Sequence, residues 1–229
     1  MSGSDKIQIS EFLKNNIPIK LEKADLRDEY LSGNDLTRAS LPEANLMNAH
    51  LSDTNLTEAN LYNANLYKAK LDEANLTKAI LTKANLTEAD LTEANLTDAD
   101  LTDAKLITAV LPRSKLPGAI LTKATLFGAN LTDANLTNAN LTKANLRTAD
   151  LTRADLTGAD LTGANLTRTI LTGAIGVDLT GTIVDNLANE GLQLGGKVLR
   201  QRKKTRKSKK SRKTKKSRKS KKSRKSSKK

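Results

Sequence analysis

The densest chemistry in this chain of 229 residues is carried by lysine, arginine and serine near its end. Residues 197–229 contain 21 Lys/Arg and no Asp or Glu. From Arg206 a six-residue unit repeats: Arg206-Lys207-Ser208-Lys209-Lys210-Ser211, then Arg212-Lys213-Thr214-Lys215-Lys216-Ser217, with Arg218-Lys219 opening a third. Cations at that density hold phosphates, so these ten Lys/Arg are the candidate nucleic-acid contacts. No apolar residue follows Leu199, which predicts a disordered tail unable to bury surface. The tail also has no ring to stack on bases, so its grip on nucleic acid or another polyanion is expected to be sequence-blind. A Ser or Thr recurs at every third position from Thr205 to Ser226, and phosphorylation there would lower the charge. Nuclear import is a compatible second use.

Other chemistries are excluded or poorly supplied. Without cysteine there is no thiolate metal site, no disulfide and no cysteine nucleophile. One histidine, His50, cannot make a multi-histidine metal site and is a poor start for a Ser-His-Asp apparatus. Carboxylate pairs such as Asp98 and Asp100 read as solvated surface charges, so no enzyme, cofactor or metal is expected. No stretch of 18 apolar residues occurs and Met1-Ser2-Gly3-Ser4-Asp5 has no signal-peptide core. The expectation is an unsecreted, intracellular chain with no membrane partner.

The element that carries the tail is a repeat. Leucine stands at every fifth position from Leu21 to Leu171, 31 times without a slip. Two residues before each of the last 30 leucines is Ala, the exceptions being Glu29, Asn34, Thr54, Ser114 and Thr169. Asn or Asp usually precedes Leu and Thr most often follows, so the unit is A-(N/D)-L-T-X. On a helix this period would spiral leucines round every face, and on a flat strand it would alternate them between faces. A chain that turns after each unit points every Leu inward, and four units then make one square coil of 20 residues. Leu116-Pro117-Gly118-Ala119 is a type II turn signature, which places the corners just after Leu. The square has room for Leu and Ala but not for rings, in keeping with an aromatic content of 2%. Two columns of asparagine, Asn45-Asn65-Asn85 and Asn55-Asn75-Asn95, are candidates for side-chain ladders between coils.

The A-(N/D)-L-X-X array resembles the pentapeptide-repeat proteins. The resemblance implies an all-β fold, a right-handed quadrilateral β-helix of about eight coils, and little about activity. The expected organisation is an N-terminal cap over 1–18, the β-helix over 19–176, a C-terminal cap over 177–196 and the basic tail over 197–229. Both caps are expected to be short and helical, with Ser10 as N-cap of the first and Ile183-Val184-Asp185-Asn186-Leu187 within the second. The region before the tail has 18 Lys/Arg against 25 Asp/Glu, so a body of net −7 carries a tail of net +21. On a 20-residue period Met47, Tyr67, Thr87, Ile107 and Phe127 form one outward column, with Val110 round the next corner. This column is either a protein interface, for a partner or a second copy, or a stack that ties coils together.

The leading functional reading is a non-catalytic scaffold that engages a protein partner through its rod and nucleic acid or another polyanion through its tail. Tails of this type are similar to those of chromatin-associated proteins and of proteins in large DNA viruses, which suggests a nuclear or virion setting. The alternative comes from the resemblance: some pentapeptide-repeat proteins imitate duplex DNA and act on type II topoisomerases. Glu73, Glu88, Glu93, Asp98, Asp100 and Asp103 supply acidity for that role, and Lys68, Lys70, Lys78 and Lys83 interrupt it.

Overall fold

The computed structural model describes residues 20–184, and over 20–175 each pentad repeats one conformation. A single unit, Asn75-Leu76-Thr77-Lys78-Ala79, shows why. The Asn75 N–H donates back one coil to Thr54 O (2.9 Å), while Leu76 and Lys78 donate forward to Asn95 O (2.7 Å) and Thr97 O (2.9 Å). The Ala79 N–H closes the turn on Leu76 O (3.0 Å). The remaining N–H, that of Thr77, has no carbonyl in reach and takes Asn75 Oδ1 (3.1 Å), to which the Thr77 hydroxyl also donates (2.6 Å). All five donors of the pentad are therefore satisfied without water, as a buried coil requires. The Asn/Asp before Leu and the Thr after it are one device, an Asx turn closed by a hydroxyl.

Corners fall where the sequence places them. The second turn residue has positive φ in every pentad, at 25 non-glycine positions and at glycines such as Gly118 (+68°). Leu116-Pro117-Gly118-Ala119 closes as expected, with Ala119 N–H on Leu116 O at 3.1 Å. Parallel bridges link residue i to i+20 from Lys20↔Ser40 to Asp155↔Ile175, which sets four sides per coil. We take residues 22–28 and their equivalents every 20 residues as the first side, 27–33 as the second, 32–38 as the third and 37–43 as the fourth. The first and third sides lie opposite each other.

The leucines and alanines fill the interior, nearly all of them fully buried. Three hydroxyl residues replace alanine there, and each reaches a turn carbonyl. Thr54 donates to Leu31 O (2.9 Å), Thr169 to Leu146 O (2.7 Å) and Ser114 to Leu111 O (2.7 Å). No buried side-chain polar atom among the described residues lacks a partner.

Two findings refine the sequence reading. The first asparagine column ladders, Asn65 Nδ2 to Asn45 Oδ1 (3.0 Å) and Asn85 Nδ2 to Asn65 Oδ1 (3.1 Å). In the second, Asn55 Nδ2 donates to Asp35 (3.1 Å), while Asn75 and Asn95 accept at Oδ1 from the hydroxyls of Thr77 and Thr97 at 2.6 Å. The difference lies at the corner: the accepting Asn45 and Asn65 are followed by Met47 and Tyr67, whereas in the second column the hydroxyls of Thr57, Thr77 and Thr97 engage the amide oxygen. The second finding is that the coil runs on past Gly176. Val177-Asp178-Leu179-Thr180-Gly181 is a further pentad set two residues early: Asn165 bridges Ile183, a spacing of 18 in place of 20, with Leu166 N–H on Ile183 O (2.9 Å) and Gly163 N–H on Gly181 O (2.9 Å). Gly176 makes the shortened corner possible. At φ +68°, any Cβ on it would lie 2.4 Å from Thr157 backbone atoms. The N-terminal cap, the C-terminal cap beyond Val184 and the tail lie outside the described residues, among which there is no helix.

Candidate interaction surfaces

The outward column expected from the sequence lies along the edge between the first and second sides. Met47, Tyr67, Thr87 and Ile107 are half-buried, and Phe127 is 37% exposed. Val110, at 36%, stands on the second side, one corner away. The column is therefore partly a stack between coils, with its open surface at Phe127 and Val110. Tyr67 is also tied down by polar contacts: its hydroxyl meets Glu88 at 3.1 Å, and Lys68 lies 5.1 Å from its ring centroid. Arg147 sits over Phe127 at 5.8 Å. On the edge between the fourth and first sides, Tyr62 is 37% exposed, with Lys83 over its ring at 5.7 Å. The sequence reading missed Tyr62 and Arg147 and took Lys83 only as an interruption of the acids, because single columns hide neighbours that meet between them.

The acids do not form one strip. Glu73, Glu93 and Asp98 lie on the third side, Glu88 on the edge between the first and second, Asp100 on the fourth, and Asp103 on the edge between the fourth and first. Asp100 stands between Ile80 and Ile120 in its column. Burial there pushes its carboxyl up, but bonds from Thr102 and from the Thr82 hydroxyl (3.0 Å) outweigh it, and the group titrates below its ordinary value. Asp133 is lowered chiefly by its two 2.6 Å bonds to Arg153. Both shifts favour ionised carboxylates, the opposite of what a general acid requires. Among the described residues no cluster of three or more His, Asp or Glu could hold a metal ion. His50 stacks on Tyr30 (centroids 4.3 Å apart), a contact at the N-terminal end of the coil. The ten candidate Lys/Arg contacts of the tail, Arg206 to Lys219, lie outside the described residues.

Fold and surface together define a repeat protein whose regular backbone presents side chains rather than enclosing a cleft. A family model described as pentapeptide repeats matches in eight copies, the matched segments running from residues 19–53 to 144–186. The chain belongs to that family, whose members share the right-handed quadrilateral β-helix and are generally structural or regulatory proteins. Among solved structures it is similar to HetL, a pentapeptide repeat protein involved in heterocyst differentiation regulation from the cyanobacterium Nostoc sp. PCC 7120. That match has 32% identity over 80% of this chain and 92% of that one, with a TM-score of 0.44. It is also similar to QnrB1, a plasmid-mediated fluoroquinolone resistance protein, at 21% identity over 74% of this chain and 92% of that one, with a TM-score of 0.53. No curated protein sequence matches the chain.

Proposed function

We propose that this protein is a non-catalytic scaffold whose basic tail binds nucleic acid or another polyanion without sequence preference, and whose β-helix presents an interface to a protein partner. The observation that carries the reading is the segregation of charge: 21 Lys/Arg and no acid in residues 197–229, after a body with 18 Lys/Arg and 25 acids. A tail of that composition has charge to neutralise phosphates and nothing to read bases. The exposed apolar side chains of Phe127 and Val110 support the partner interface.

The same charge map favours this reading over DNA mimicry. A mimic needs acidity continuous along its surface. Here the third side does gather Asp53, Glu58, Asp72, Glu73, Glu93 and Asp98 against Lys78 alone, but farther along it Arg113 and Arg153 pair with Glu93 and Asp133. Replacing the ten lysines and arginines from Arg206 to Lys219 by Gln in the full chain tests the proposal. Affinity for duplex DNA is expected to fall at least a hundredfold at moderate salt, read by fluorescence anisotropy. Unchanged affinity would remove the tail from the function.

A further inference from the structure

Between residues 20 and 184 the chain carries 16 Lys/Arg and 21 Asp/Glu, a net of −5, yet one surface of that acidic body has the opposite sign. On the first side, over the six coils from 62–68 to 162–168, seven cations face two acids, Glu88 and Asp103. Lys68 is spent on Glu88 at 3.4 Å. Lys83, Lys105, Lys123, Lys143, Arg147 and Arg168 are all exposed and take part in no ion pair among the described residues. The arginines of the third side behave differently, since Arg38, Arg113 and Arg153 each bridge an acid at 2.6–2.7 Å. Among the described residues, three of five cations on the third side are paired and only Lys78 and Lys115 are not, whereas on the first side six of seven stand unpaired.

The same side holds the rings. Tyr62, Tyr67 and Phe127 are three of only five aromatic residues in the chain, and all border it, each with a cation over its face: Lys83, Lys68 and Arg147. Cations that track a backbone, interleaved with exposed rings on which bases stack, are the pattern by which proteins hold single strands. The surface is flat and at strand spacing about 24 Å long from its first to its sixth coil. A flat face suits a splayed single strand, since it offers no element to enter a duplex groove.

We infer that the first side of the β-helix is a single-stranded nucleic-acid track, with Lys123, Lys143 and Arg147 on phosphates and Phe127 stacking a base. This surface is separate from the tail and does not require the tail reading to hold. The test uses the full chain with all 21 Lys/Arg of residues 197–229 replaced by Gln, and a labelled mixed-sequence single-stranded oligonucleotide at about 50 mM salt, where phosphate contacts are strong. Residual binding is expected. It should be abolished by Lys123→Asn/Lys143→Asn/Arg147→Gln, Asn being tolerant of the positive φ at 123 and 143. It should weaken about tenfold on Phe127→Ala, with duplex binding unmoved by that change. Lys78→Asn/Lys115→Gln/Arg153→Gln removes the same charge from the third side and is expected to have little effect. Absence of residual binding, or equal losses from the two triple variants, would overturn the inference. Polyphosphate binding that matches the oligonucleotide's, with no effect of Phe127→Ala, would also overturn it, by showing a general anion surface. Loss of duplex binding on tail replacement reports on the tail alone, so the two readings fail separately.

Discussion

Three prolines mark how the pentad works at the level of single residues. Pro42, Pro112 and Pro117 each occupy the position after Leu whose N–H is normally held by an Asn or Asp two residues earlier. In all three pentads that residue is something else: Ser40, Val110 and Lys115. A proline has no N–H to satisfy and its fixed φ suits the first turn position, so loss of the acceptor and gain of proline compensate each other. Asn95→Val is expected to cost about 1–2 kcal/mol, because it strands the Thr97 N–H and hydroxyl. Made on a Thr97→Pro background, the same change should cost less than half as much. Thermal or denaturant unfolding of the four proteins checks this; equal costs on the two backgrounds would break the argument. These pairings were open to view in the sequence as a correlation, but only the hydrogen bonds give it a cause.

For the element, the coil, the five-residue period was enough to set four sides, inward Leu and Ala, and corners after Leu. It could not show the shifted pentad at Val177–Gly181, because two missing residues break the leucine register that defined the pattern. Nor could it show the cost of the corners. Every one holds its second residue at positive φ, which suits Gly and Asn and is adverse to β-branched side chains. Thr108 (φ +51°) and Thr148 (φ +59°) are the two threonines in that position. Each turns its hydroxyl onto the carbonyl just before it, at 2.7 and 2.6 Å. Replacing both by Asn is expected to stabilise the β-helix by about 1–2 kcal/mol, seen as a rise in melting temperature. A lowered melting temperature would mean that the hydroxyl bonds outweigh the strain.

At the scale of the whole chain, the formal charge of +14 describes no part of the molecule. The division between acidic body and basic tail was readable directly, because the two follow each other along the sequence. The division between sides of the body was not, because Lys123, Glu93 and Arg147 alternate along the chain and separate only once it is wound at 20 residues per coil. The scarcity of rings has two consequences. It suits an interior packed with Leu and Ala, and it makes the clustering of Tyr62, Tyr67 and Phe127 on one side informative. The account's central claim, that the chain holds nucleic acid by tail charge, is tested most directly by the salt dependence of full-length protein on duplex DNA. About ten phosphates neutralised gives a slope of log K against log salt near −9. A slope near zero, or no measurable binding at low salt, would contradict it.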